Sequence, residues 1–167
     1  ASISAWEPFC TVARWPRANP SRMPCTESAT RTPPGNSSVA IASLSGTSMM
    51  VRESTDHRSP LAVERFSAGF RVPLLTSASG RIFLAFSSAA QRDSLLEILS
   101  RSTREVDKLA VNRSEVQKIL AEARNQGYAT AVRPRRVTDE ITMAVPIQLD
   151  DRVLAAVSVR FSGTAVP

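Results

Sequence analysis

The sequence contains few of the residue types that most often carry chemistry. Its 167 residues include one histidine, one tyrosine and two cysteines. His57 has no nucleophile pattern around it, so a solvated loop residue is a better interpretation than a catalytic base. Cys10 and Cys25 allow one disulfide but no cysteine-rich zinc site, and free thiols are the expected state. We therefore expect no metal site and no cofactor.

Long hydrophobic runs are also missing. No stretch approaches the roughly 20 apolar residues of a membrane-spanning helix, and no basic segment followed by an apolar run opens the chain. This pattern predicts a cytoplasmic protein. The sequence also lacks a Ser-His-Asp pattern, a cluster of metal ligands and a phosphate-binding glycine loop, so we do not expect an enzyme.

The composition is typical of a folded domain, with 43% hydrophobic and 22% charged residues. A formal charge of +6 raises the question of nucleic-acid binding. The arginines are scattered, however, and only Arg133, Arg135 and Arg136 cluster. Such a loop is more typical of a solvated edge or an oligomer contact than of a DNA-binding surface.

Proline divides the chain into two parts. Residues 1–36 are rich in Pro, Arg, Ser and Thr and are predicted to be irregular, apart from one short helix between Ile3 and Trp15. Residues 37–167 have the regular patterns of a folded domain. We therefore expect a single domain over residues 37–167.

Alternating apolar residues predict a sheet in this domain. The last two strands flank Asp150-Asp151, a tight turn rather than a metal or acid–base pair. The third strand is expected to end at Pro73. The predicted strands are 38–44, 48–54, 61–72, 128–132, 140–149 and 152–161.

Three helices are predicted in the middle of the chain. The first begins among the side-chain oxygens of Thr76, Ser77 and Ser79, and the second covers residues 89–101. The third runs from Asn112 to Gly127, two residues that suit a helix start and a left-handed helix end. A hairpin, helices and a second hairpin indicate an α+β fold, a GAF-like antiparallel sheet with its helices inserted in mid-chain.

Four blocks of sequence resemble one family. The run from Phe70 to Phe86, FRVPLLTSASGRIFLAF, is similar to the family pattern G-x-x-x-P-L-x-x-x-A-x-G-[KR]-x-x-L-A of IclR-type transcriptional regulators. MMVRES, ARNQGY and the pair MAVPI with LAAVSV also match, in the same order. The resemblance covers about residues 38 to 163. Arg-Glu-Ser followed by His57-Arg58 is most similar to the branch that controls aromatic-acid catabolism.

The resemblance implies the effector-binding domain of a bacterial regulator, which assembles as a homodimer or tetramer. It implies DNA binding only through a winged helix-turn-helix domain that this chain lacks. Residues 1–36 do not match the family. As an alternative, the domain is an oligomerisation module with no ligand of its own.

The resemblance also implies an effector pocket between the sheet and the helical segment. The corresponding positions are Ala78, Ser79, Ile141, Ser158 and Arg160, and Met143 adds to the apolar wall. Arg160 then provides a cationic clamp for an aromatic or otherwise apolar carboxylate. The residues alone leave other roles open: Ser79 as a plain helix cap, and Arg160 as an exposed strand residue or an ion-pair partner.

Overall fold

A computed structural model describes residues 37–58, 66–132 and 140–162, all of which belong to one compact unit. The short helix predicted between Ile3 and Trp15 lies outside the described residues, as do Arg133, Arg135 and Arg136. No helix within the described residues has the length and apolar character needed to cross a membrane.

Six strands form one antiparallel sheet in the order β3-β2-β1-β6-β5-β4. The terminal hairpin turns at Asp150 and Asp151, whose φ angles of 47° and 61° are the left-handed values of the predicted tight turn. The strands are β1 (Ser37–Ser45), β2 (Ser48–Ser54), β3 (Arg71–Pro73), β4 (Ala129–Val132), β5 (Glu140–Leu149) and β6 (Arg152–Ser162).

The third strand is much shorter than the sequence predicted. Gly69 has a φ of 90°, and Phe70 donates its backbone N–H to the Ser67 carbonyl at 3.1 Å, so the chain turns where a strand was expected. Only Arg71–Pro73 pairs with β2. Residues 59–65 of the predicted strand lie outside the described part of the chain.

Three α-helices follow β3, each opened by a side-chain cap. Ser77, Ser88 and Asn112 accept hydrogen bonds from backbone amides three residues later, and Gly127 closes the last helix with a φ of 79°. Ser77 is thus the cap of the first helix, and Ser79 lies inside it. The helices are α1 (Ala78–Phe86), α2 (Ala89–Ser100) and α3 (Arg113–Gln126), with 3-10 turns at Asp56–Arg58 and Glu105–Val111.

The helices cover one face of the sheet. α1 packs on strands β2 to β6, and α3 packs on α1. The interior between them is apolar, with Met49, Leu74, Ile82 and Leu84 fully buried. At Gly80 the helix comes so close to the backbone of Leu74 that an added Cβ would overlap it. α1 is therefore held at one position over the sheet.

A buried carboxylate shapes the connection between α2 and α3. Asp107 is 1% exposed and accepts hydrogen bonds from the Ser102 hydroxyl and the Arg104 Nε, both at 2.7 Å. These bonds hold the 3-10 helix Glu105–Val111 against the domain. As a result, Val106 is placed at the edge of the space between the helices and the sheet.

Candidate functional site

A cavity of about 740 Å³ lies between the inner face of the sheet and the start of α1. Its volume falls within the range of roughly 300–1,000 Å³ that is usual for small-molecule sites. Most of its wall is apolar, with a few hydroxyl side chains and the two charged side chains of Asp56 and Arg160. The lining residues are Ser38, Ala40, Ala42, Val51, Asp56, Phe66, Phe70, Val72, Pro73, Thr76, Ser77, Ala78, Ser79, Val106, Ala131, Val132, Thr142, Ser158 and Arg160.

Small side chains on the central strands form the floor of the cavity. Along β1 every second residue points inward, so Ser38, Ala40 and Ala42 share this face. Ser158 pairs with Ala40 across the strands, and its hydroxyl lies 3.4 Å from the Ala40 carbonyl oxygen. Because these side chains are short, the sheet leaves open volume beneath the helix.

The start of α1 forms one end of the cavity. Ala78 and Ser79 are buried, at 1% and 5% exposure, and occupy the first two positions of the helix. Backbone N–H groups there have no acceptor within the helix and point toward its end. Such an end attracts anions through its amides and the helix dipole.

Arg81 braces the same end of the helix. Its Nε donates to the Leu75 carbonyl at 2.8 Å and its Nη1 to the Thr130 carbonyl at 3.1 Å, which joins α1 to the preceding turn and to β4. Burial lowers the pKa of Arg81, and Glu122 partly opposes that shift. Because both bonds end on backbone carbonyls, Arg81 positions the helix start.

A buried ion-pair cluster forms the other end. Arg160, 8% exposed, contacts two carboxylates: its Nη2 lies 2.7 Å from the Asp56 Oδ2, and its Nε lies 2.8 Å from the Glu140 Oε1. The ion-pair role that the sequence left open for Arg160 is therefore the one in the structure. We call Asp56, Arg160 and Glu140 the acidic triad, since two negative charges flank one positive charge.

Two aromatic side chains complete the wall beside the triad. The guanidinium of Arg160 stacks on Phe66, with its central carbon 4.4 Å from the ring centroid. The ring centroids of Phe66 and Phe70 are 4.5 Å apart. The Phe66 backbone N–H also donates to the Asp56 Oδ2 at 2.6 Å. The triad thus holds the segment that carries these rings against the cavity.

Asp56 stays ionised in this environment. Burial raises the pKa of Asp56, but hydrogen bonds from Phe66, Ser38 and Ser54 and the charge of Arg160 together lower it below its usual value. A carboxyl whose native pKa is lowered contributes stability above its unfolded pKa of about 4, and this contribution is lost as pH falls through the native pKa.

This linkage predicts a pH-dependent effect of Asp56→Asn. We expect the variant to be clearly less stable than the original chain near neutral pH, and the gap in unfolding free energy to narrow from about pH 4 downward. Urea unfolding at a series of pH values measures it. Asp93→Asn, at an exposed position on α2, is the control. A gap for Asp56→Asn that stays constant at all pH values contradicts the prediction.

The structure brings together four of the six residues singled out from the sequence. Ala78, Ser79, Ser158 and Arg160 all line the cavity. Ile141 and Met143 do not line it, because they flank Thr142, whose side chain takes the inward position on β5. A strand alternates between faces, so a shift of one residue moves a side chain to the opposite side.

Sequence reasoning missed Asp56, Glu140 and the aromatic pair. His57, beside Asp56 in the chain, is exposed, with its Nδ1 3.0 Å from the Ser54 carbonyl oxygen. The triad joins residues 104 positions apart in the chain. No local signal marks such a pair.

Comparison with known proteins finds a matching family and solved structures with a similar fold. A family model described as the bacterial transcriptional regulator IclR C-terminal domain matches residues 33–166. Solved structures are also similar. The C-terminal domain of a transcriptional regulator from Vibrio cholerae has a TM-score of 0.63 and 20% identity, covering 79% of this chain and 75% of that one.

Two longer regulators are similar over about half of their length. The IclR protein of Thermotoga maritima has a TM-score of 0.63 and 19% identity, covering 80% of this chain and 53% of that chain. An IclR homolog from Microbacterium hydrocarbonoxydans, complexed with 4-hydroxybenzoate, has a TM-score of 0.56 and 23% identity, covering 75% of this chain and 51% of that chain. At these identities the likeness establishes the fold.

Proposed function

The chain belongs to the IclR family of bacterial transcriptional regulators, whose C-terminal domain it matches over residues 33–166, and from this we infer that its cavity binds a small organic carboxylate as an effector. The observation that carries this proposal is the cavity of about 740 Å³, closed on one side by the start of α1. Helix-end amides favour a carboxylate, and the apolar walls favour an aromatic or aliphatic body.

The expected anion site differs from the arginine clamp that the sequence suggested. Asp56 and Glu140 already contact the guanidinium of Arg160. A ligand carboxylate at Arg160 would have to compete with both. The amides at Ala78 and Ser79 are therefore the better seat. The complex of an IclR homolog with 4-hydroxybenzoate supports an aromatic carboxylate as the class of ligand.

Effector binding acts on a larger assembly. We propose that the ligand favours one of two arrangements of a homodimer or tetramer and so changes how attached DNA-binding domains meet a promoter in the cytoplasm. DNA contact belongs to the helix-turn-helix domain of the longer regulator. No enzymatic step is part of this proposal.

A second candidate function is assembly without a ligand. It is favoured by the outer face of the central strands, which carries apolar side chains and which no described helix covers. Ile41 and Val145 on this face are 38% and 40% exposed. In this case the cavity would have no occupant and the domain would only hold protomers together.

Ligand binding predicts a stabilised domain. In a thermal-shift experiment with benzoate, 4-hydroxybenzoate and short aliphatic carboxylates, we expect at least one class to raise the melting temperature. A ligand at 100 times its Kd adds about 2.7 kcal/mol to the unfolding free energy. Ala40→Leu fills the floor of the cavity and should abolish the shift.

Ala155→Leu, on the outer face of β6, adds the same volume away from the cavity and should keep the shift. If no carboxylate shifts the melting temperature of the folded domain, the sensing function is wrong. Assembly without a ligand then becomes the better explanation.

A further inference from the structure

We propose that the acidic triad makes one end of the cavity a charge filter: it rejects a second carboxylate and accepts a neutral hydrogen-bond donor such as a hydroxyl. Glu140 is the specificity-determining residue of this filter. The effector is then a monocarboxylate with a hydroxyl at its far end. This inference rests on the proposed function and narrows it to one chemical class.

The charge of the triad carries the proposal. Asp56 and Glu140 lie 2.7 and 2.8 Å from Arg160, so two negative charges meet one positive charge and the net charge is negative. Among the described residues, Asp56 and Arg160 are the charged ones that line the cavity, and Glu140, 21% exposed and outside the lining, adds the unbalanced negative charge through its contact with Arg160. The side chains of Arg160 and Asp56 are 10% and 4% exposed, so water screens them poorly.

The triad lies away from the proposed carboxylate seat. Arg160 pairs with Ser38 near the start of β1. The turn before α1 follows Pro73, and Pro73 pairs with Ser48. Ser48 lies beside the β1–β2 turn, which is at the opposite end of β1 from Ser38. The cavity floor from Ser38 to Ala42 covers four residue steps, or about 13 Å at the usual rise of a strand. An effector therefore meets amides at one end and net negative charge at the other.

Hydroxyl groups at the triad end suit a neutral partner. Ser38, Thr142 and Ser158 line the same part of the floor, and each hydroxyl both donates and accepts. A ligand hydroxyl can donate to a carboxylate or join these groups without adding charge. A ligand carboxylate there would instead face two like charges in a poorly screened space.

Benzoate and two of its para-substituted derivatives test the filter. Titration calorimetry on the purified chain would compare benzoate, 4-hydroxybenzoate and terephthalate. We expect 4-hydroxybenzoate to bind at least about fivefold tighter than benzoate, and terephthalate at least about tenfold weaker. In Glu140→Gln the triad becomes neutral, and the ratio of benzoate affinity to terephthalate affinity should fall by at least about fivefold.

Glu115→Gln, at an exposed position in the first turn of α3, is the matched control and should leave all three affinities unchanged. The comparison of ligands on the unmodified chain tests the filter even if Glu140→Gln fails to fold. Terephthalate binding as tightly as benzoate overturns the filter and leaves the sensing function in place. Tighter binding of 4-(aminomethyl)benzoate than of 4-hydroxybenzoate overturns the hydroxyl assignment. If neither these compounds nor any other carboxylate binds, the proposed function itself is wrong.

Discussion

Replacing Gly80 by alanine is expected to destabilise the domain by about 3 kcal/mol or more. In an ordinary helix this change stabilises, because alanine has the higher helix propensity. Here an alanine Cβ would overlap the backbone of Leu74, and a backbone cannot rotate away as a flexible side chain can. The start of α1 would have to move, and with it the proposed carboxylate seat. Urea unfolding measures the loss.

Gly46→Ala is the matched control for this prediction. Gly46 lies in the β1–β2 turn with a φ of 63°, and an added Cβ there meets nothing within 4 Å. Its cost is therefore only that of a left-handed alanine, about 1 kcal/mol. Equal losses of unfolding free energy for the two variants would show that the close approach of α1 to Leu74 is not what makes Gly80 necessary.

Replacing Arg160 by alanine is expected to cost about 3–5 kcal/mol of unfolding free energy. The change removes the cation from between Asp56 and Glu140 and leaves two like charges facing each other in a buried place. It also removes the contact with Phe66 that helps to hold the wall of the cavity. Chemical denaturation of the purified variant measures this cost.

A triple variant that removes all three charges of the triad distinguishes the effect of charge on stability from the effect of packing. Arg160→Met combined with Asp56→Asn and Glu140→Gln keeps most of the side-chain volume and leaves no unpaired charge. Replacing a buried ion pair by neutral groups is often nearly neutral for stability. We therefore expect this triple variant to recover most of the stability that Arg160→Ala loses. A variant Arg160→Ala as stable as the original chain would contradict the importance of the triad.

The two halves of the site differ in how far the sequence predicted them. The start of α1 was predicted from its cluster of hydroxyl side chains, whereas the pocket positions of Ser158 and Arg160 were implied by the resemblance to the family. The third strand was predicted too long, because a left-handed turn at Gly69 depends on contacts with β2. Ile141 and Met143 were placed one residue from the inward position that Thr142 takes on β5.

The sequence alone determined the element order, the two ends of α3, the terminal hairpin and the family, because each depends on residues close together in the chain or on a recognisable pattern. Only the tertiary structure decided the partners of Arg160, the choice of Thr142 as the inward residue on β5 and the close approach of Gly80 to Leu74. These features depend on which distant segments meet. The pairing of Asp56 with Arg160 spans 104 positions, and only the register of a folded sheet brings such residues into contact.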